Sequence, residues 1–291
     1  MVAEPHRIRA LARVNDYFRK ALNANPSYPA AVALRDRAQQ ARDELPAVQR
    51  PDPPGTEDDL GAWLDAVAEA DAAERARTAK IVALTQLLGR CDGDISMCVL
   101  GDPDGVLESL SRDFEALMKD VDAAVQRLGG ARTPTEVIVN NASEAWNELG
   151  VLRQSYDALR VAQSAVMASA APHMVQASKS LHLDDPLASD VMIANLDDVF
   201  PTCRQSQSRN LDGTLIDLRP WPVDDYIAEL VWLSSSEARP WIPTLAQLEE
   251  LHADRIARAN PMPNVIPGRQ DILNRTPPKQ AYKHIIPAEI H

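Results

Sequence analysis

From Asp104 to Ala170 the chain carries an apolar stripe at heptad spacing, interrupted by a Gly-Gly pair. Paired long helices are the architecture that uses such a pattern. In the first arm Leu107, Leu110, Phe114, Leu117, Val121, Ala124 and Leu128 recur in steps of three and four, and Met118 and Val125 widen the stripe. Gly129 and Gly130 stop the helix. Thr133-Pro134-Thr135-Glu136 then restarts one, with Thr as N-cap, Pro at the first helical position and Glu three residues after the cap. In the second arm Ile138, Ala142, Ala145, Leu149, Leu152, Tyr156, Leu159, Gln163, Val166 and Ala170 keep the spacing, broken only by the polar Gln163. At about 1.5 Å per residue this predicts a second helix roughly 50 Å long. A short turn between two such arms makes them antiparallel neighbours.

The predicted fold class is all-α: an elongated helical bundle with a long antiparallel hairpin, an irregular Trp/Pro-rich C-terminal region and an extended tail. Composition supports it, because 11 Gly and 13 aromatics in 291 residues leave the core to aliphatic side chains and Ala contacts. Four segments follow: a helical hairpin over 1–50, a long-helix bundle over 56–171, an irregular helical subdomain over 172–259, and a proline-rich arm over 260–291.

Charge bounds the partners. The net charge of −12 argues against general nucleic-acid binding and against an anionic membrane surface. It is unevenly spread: residues 1–50 hold nine Lys/Arg against five Asp/Glu, and residues 260–291 four against two, so the middle is strongly acidic. Basic ends and an acidic middle can attract one another across subunits. No apolar leader stands near Met1 and no run approaches the ~18 apolar residues of a membrane span. The expectation is a soluble protein of the cytoplasm, or part of a particle such as a virion assembled inside a cell. Cys91, Cys98 and Cys203 form no CxxC and read as reduced thiols.

The N-terminal segment has one apolar face at Ile8, Leu11, Phe18 and Leu22, a break at Asn25-Pro26-Ser27-Tyr28-Pro29, and a second face at Ala31, Leu34, Ala38, Ala41 and Leu45. The run Tyr17…Ala21-Leu22…Asn25-Pro26…Tyr28…Ala31 is similar to part of a tetratricopeptide repeat. The likeness covers one unit of about 34 residues and no second copy follows, whereas such units need stacked neighbours. Pro46 to Gly55, with four prolines, reads as a linker. Thr56-Glu57-Asp58-Asp59 caps a helix expected to run to about Leu88, striped by Leu60, Trp63, Leu64 and Val67 at its start and by Ile81, Leu84, Leu87 and Leu88 at its end. Its middle offers only alanines. Gly89 to Pro103 is expected to be a connection.

Beyond Pro172, Asp185-Pro186 marks the start of a short helix and Leu211 to Ile216 suggests a small β-hairpin with an Asp-Gly turn. A motif then recurs twenty residues apart: Arg219-Pro220-Trp221-Pro222 and Arg239-Pro240-Trp241-Ile242-Pro243. Each leads into a helix, the second capped by Thr244 with Gln247 at the box position. Trp221, Trp232 and Trp241 suit either a miniature core or a contact surface, since Trp and Arg are enriched at binding hot spots. The arm from Asn260 holds six prolines and spaced apolar residues, among them Met262, Val265, Ile266, Ile272, Leu273, Ile285 and Ile286. An extended arm of this kind gains order by laying such residues into a partner's grooves.

Searches for chemistry end without a catalytic residue, cofactor site or metal site. No two of the six histidines stand at i, i+4. Asp92-Gly93-Asp94 lacks the EF-hand glycine and glutamate, and no phosphate-cradling loop or nucleophile elbow occurs. The leading expectation is a non-enzymatic structural or assembly protein that binds copies of itself or a larger complex. Its partner-binding residues would be Arg219, Trp221, Arg239, Trp241, Ile266, Ile285 and Ile286. One alternative is a helical enzyme or small-ligand binder with a site where the bundle meets 172–250, near His182 or Cys203. The other is a helical-hairpin adaptor with a peptide groove near Tyr17 and Tyr28.

Overall fold

The computed structural model describes residues 5–55, 59–131, 133–172, 191–201, 220–222 and 225–259. Among these residues there are ten helices and no strand, so the fold is all-α. The chain divides into two compact units, Met1–Glu250 and Leu251–His291. One continuous apolar core, from Ile8 to Leu248, occupies the first.

The N-terminal segment forms three helices where the sequence predicts two: α1 (Pro5–Val14), α2 (Asp16–Asn23) and α3 (Ser27–Asp43). Asn15 makes the extra break. Its side chain accepts from the backbone N–H of Phe18 at 2.9 Å as the N-cap of α2, and its Nδ2 donates to the Ala158 carbonyl at 2.7 Å. A residue that is only 5% exposed thereby satisfies both ends of its amide and ties the N-terminal helices to a distant one. On α3 the buried positions are Tyr28, Ala31 and Ala38, while Leu34 and Ala41 of the predicted face point outward.

The proline-rich stretch after α3 is half-buried at Leu45, Val48, Pro51 and Pro54, a period of three that matches the three residues per turn of a polyproline-II strand. It runs antiparallel to α4 (Leu60–Leu100), since Arg77 donates to the Pro46 carbonyl and Arg50 pairs with Asp71. Asp59 caps α4 by accepting from the N–H groups of Gly61 and Ala62. The alanine-rich middle carries its stripe through Ala70, Glu74 and Arg77, with the polar pair half-buried.

Helix α4 continues to Leu100 and does not end near Leu88. Gly89 and Gly93 each cost about 1 kcal/mol inside a helix. The heptad goes on past them, and burial of Ile95 and Val99, at roughly 1.5–3 kcal/mol per aliphatic side chain, outweighs that cost. Asp92 and Asp94 therefore stand on a helix and not in a loop. Cys91 and Cys98 are two turns apart on it, both free and buried.

The opening hairpin is α5 (Pro103–Arg127) followed by α6 (Pro134–Val139) and α7 (Ser143–Ala170). Every stripe residue of the first arm is buried. Gly129 and Gly130 take φ of +60° and +87°, a left-handed exit that suits glycine, and Thr133 with Glu136 forms the expected capping box. The second arm is not continuous. Asn141 adopts φ of 53°, the N–H of Ala142 reaches the Val137 carbonyl at 2.9 Å and that of Asn141 the Ile138 carbonyl at 3.2 Å. These are the two bonds of a Schellman motif, with buried Val137 and Ala142 supplying its apolar contact. The break rotates α6 against α7, so Ile138 is 71% exposed and Val137 takes the inward place. Helix α7 alone spans about 42 Å.

Among the described residues of the C-terminal part, α8 (Leu196–Val199), α9 (Tyr226–Ser235) and α10 (Leu245–Ala259) follow. The predicted hairpin at Leu211–Ile216 and the helix start at Asp185-Pro186 lie outside the described residues. Removing the side chain at the centre of the α5 stripe should be costly and removing an outward one should not. Phe114→Ala should lower the unfolding free energy by about 3–5 kcal/mol, and Ile138→Ala by less than about 0.5 kcal/mol, measured by urea denaturation. The opposite ranking would refute this assignment of faces.

Candidate functional site

Two arginines on one face of α7 determine how the C-terminal elements sit on the bundle. Arg153 and Arg160 are seven residues apart and so project on the same side. Arg153 pairs with Asp157 at 2.9 Å and with Glu229 of α9 at 2.6 Å, donates to the Tyr226 carbonyl at 3.0 Å, and lies over the rings of Tyr156 and Tyr226. Burial by itself would depress its guanidinium; the hydrogen bonds to Asp157 and Glu229 outweigh that and hold it above its ordinary value.

Arg160 is held differently, through its two terminal nitrogens, while its Nε is buried without a hydrogen-bond partner. Its guanidinium lies 4.4 Å from the Phe114 ring centre and 5.0 Å from that of Tyr156. One nitrogen donates to Gln163 Oε1 at 2.9 Å and to the Trp241 carbonyl at 2.6 Å, with a longer contact to Val191; the other donates to the Met192 carbonyl at 3.2 Å. Gln163 completes the set by donating from Nε2 to the Val191 carbonyl at 2.9 Å. The polar break in the apolar stripe is thus an amide bonded at both its oxygen and its nitrogen, only 4% exposed.

This cluster fixes the second Arg-Pro-Trp motif. The segment around Ile193 pairs with that around Pro240: Ala194 N–H donates to the Arg239 carbonyl and Trp241 N–H to the Met192 carbonyl. The Asn195 side chain bridges Glu237 and Arg239. Trp241 is half-buried against the core, while the Arg239 side chain is exposed. In the first motif Trp221 packs edge-on against Phe200 at 5.8 Å and against Trp232 at 5.5 Å. The tryptophans thus contribute packing. Arg219, Ile266, Ile285 and Ile286, like His182 and Cys203, lie outside the described residues.

Thr244 and Gln247 cap α10 reciprocally, as the sequence predicts. Asp104, at the start of α5, adds what the sequence does not disclose. It accepts from Leu245 N–H at 2.7 Å and from Ala246 N–H, capping a helix 141 residues away. Where α5, α7 and these segments meet, Phe114, Tyr156, Leu196, Leu230 and Ile242 are buried.

Exposed apolar side chains are scattered among the described residues, with Val14, Ile138 and Val139 each more than 70% exposed; at the start of α4 two leucines one turn apart join them. Leu60 is 59% and Leu64 54% exposed, beside half-buried Trp63 and Val67. The Trp63 indole nitrogen is buried without a hydrogen-bond partner. Asp59, Asp65, Glu69 and Asp71 flank these residues in sequence, Asp71 in an ion pair with Arg50. At the place where the adaptor reading expects a peptide groove, Tyr28 is only 6% exposed and Tyr17 packs on the core.

Among the described residues no three His, Cys, Asp or Glu side chains converge on a metal-sized site. Burial, reinforced by Asp94, pushes the Cys98 thiol up, and its Sγ donates to the Asp94 carbonyl, which disfavours the nucleophilic thiolate. No helix among the described residues is long and apolar enough to cross a membrane. Comparison with protein-family models, curated proteins and solved structures gives no match.

Because the Arg160 guanidinium donates from two terminal nitrogens and also lies over two rings, a lysine should not replace it. Arg160→Ala should destabilise the chain by about 2–4 kcal/mol, since it removes a donor to the Trp241 carbonyl, the bond to Gln163 and the guanidinium's packing on Phe114 and Tyr156. Arg160→Lys should recover less than half of that loss. Urea unfolding, followed together with the near-UV signal of the tryptophans, measures both; full rescue by lysine would contradict the planar-fork account.

Proposed function

We propose that this protein is a non-enzymatic structural or assembly component whose bundle presents a contact surface to further copies of itself. The observation that carries the reading is the apolar end of α4. Leu60, Trp63, Leu64 and Val67 form one stripe with two leucines more than half exposed, on a helix of 41 residues. Leucine pairs at i, i+4 are the ordinary anchors of helix-in-groove and helix-pair contacts.

The acidic residues that flank this stripe in sequence favour a basic occupant carrying spaced apolar side chains. Residues 260–291 have that composition, with Arg269, Arg275, Lys279 and Lys283 among Met262, Val265, Ile266, Ile272, Leu273, Ile285 and Ile286. The arm of one copy is therefore the proposed ligand of α4 in the next. A head-to-tail contact of this kind closes into a ring or propagates, which is how virion and other particle components assemble. Trp221 and Trp241 serve this role indirectly, by holding the C-terminal segments in place; Arg219 and Arg239 remain proposed rim contacts.

Light scattering coupled to size-exclusion chromatography tests the reading. The full chain should elute as an oligomer with a concentration-dependent mass, and Leu60→Glu combined with Leu64→Glu should reduce it to the monomer while helical content is kept. A full chain that is monomeric at every concentration, or an oligomer unaffected by the double substitution, would overturn it.

A further inference from the structure

Where α1, α3 and α4 meet, positive charge is gathered without enough partners. Arg35 of α3 pairs through Nε with Asp92 of α4 at 2.6 Å, and both side chains are largely covered. Arg9 of α1 lies in the field of that pair, together with Arg13 and Asp36. Three arginines thus face two carboxylates. Asp92 Oδ1 is already engaged by Arg35, and Arg9 Nε is buried with no hydrogen-bond partner. Burial first, and then the like charge of Arg35, hold the Arg9 guanidinium below its ordinary value.

Tyr28 of α3, more than nine-tenths buried, lies within the electrostatic reach of Arg9 and Arg13. Burial pushes its hydroxyl up, and the fields of Arg9 and Arg13 pull against that shift. A buried guanidinium nitrogen left unpaired is expensive, because the donor has lost water and gained nothing. The planar edge formed by Nε and a terminal nitrogen matches the two oxygens of a carboxylate or phosphate. An anion placed there would restore the missing bond and balance the surplus charge in a single step.

We propose that Arg9, with Arg13, Arg35 and Tyr28 around it, binds an oxyanion of the phosphate or carboxylate class. The site does not depend on the α4 contact proposed above, since it is built from other residues. Its occupant comes either as a free anion or as an acidic side chain of a second copy, which the strongly acidic middle of the chain supplies in abundance.

Titration calorimetry of the full chain with inorganic phosphate, paired with sedimentation at several protein concentrations, tests this site and separates the two sources. A free-anion site gives one saturable phosphate per chain, weakened tenfold or more in Arg9→Gln, weakened less in Arg9→Lys, and unchanged in Arg19→Gln, whose arginine pairs with exposed Asp16. If a second copy supplies the oxyanion, phosphate dissociates the oligomer and Arg9→Gln does so without phosphate. Circular dichroism checks that each variant is folded, and Arg9→Lys serves if the glutamine variant is not. The absence of both saturable binding and phosphate-driven dissociation, or an equal response from Arg9→Gln and the unsubstituted chain, overturns the proposal.

Discussion

Arg160 stacked on Phe114 and Tyr156 is the contact through which the two ends of the sequence share one core. The rings come from the inner faces of α5 and α7, their centres 5.7 Å apart, and the guanidinium lies against both. A charge in such a place needs acceptors, and it finds them in the carbonyls of Met192 and Trp241, which belong to a part of the chain with little regular structure of its own. The hydrophobic hairpin thereby specifies where an irregular segment must dock. Gln163 repeats the arrangement one turn further along, and Arg153 repeats it toward α9 through Glu229.

Buried polar groups give the otherwise non-directional core its specificity. Ala, Leu and Val along α5 and α7 would accept many neighbours at similar cost. Asn15, Gln163, Arg160 and Asp104 accept only particular ones, because each leaves an orphaned donor or acceptor if its distant partner is displaced. The contacts they make span between 28 and 143 residues of sequence. Stability comes mainly from the stripe, and topology from these few side chains.

The same division explains what could be read from the chain alone. The α5 stripe, the Gly-Gly stop, the Thr133 capping box and the Thr244 cap were legible because each depends on residues within a turn or two of one another. The break at Asn141 was also local, but an Asn in a left-handed exit looks like any other polar residue until its backbone is known. Gly89 and Gly93 misled in the other direction: their local preference is to end a helix, and the burial of Ile95, Cys98 and Val99 overrode it. Gln163, read as a defect in the stripe, is defined by a partner 28 residues away. Arg9, Arg160 and Asp104 carried no signal in sequence, because arginines and aspartates are common on helix faces and only three-dimensional neighbours distinguish these. The doubled Arg-Pro-Trp motif was visible at once, but that its tryptophans pack against the core was not, and neither was the exposure of Leu60 and Leu64 on α4.

Amide hydrogen exchange on the unsubstituted chain tests most directly whether the Arg160 contact makes the C-terminal segments part of the bundle's cooperative core. The Trp241 and Ala194 amides, which bond to Met192 and Arg239, should exchange as slowly as those of Phe114 and Leu159 at the centre of α5 and α7. Rapid exchange at Trp241 and Ala194 beside a protected α5 and α7 would contradict the account, because it would mean that these segments open independently of the core.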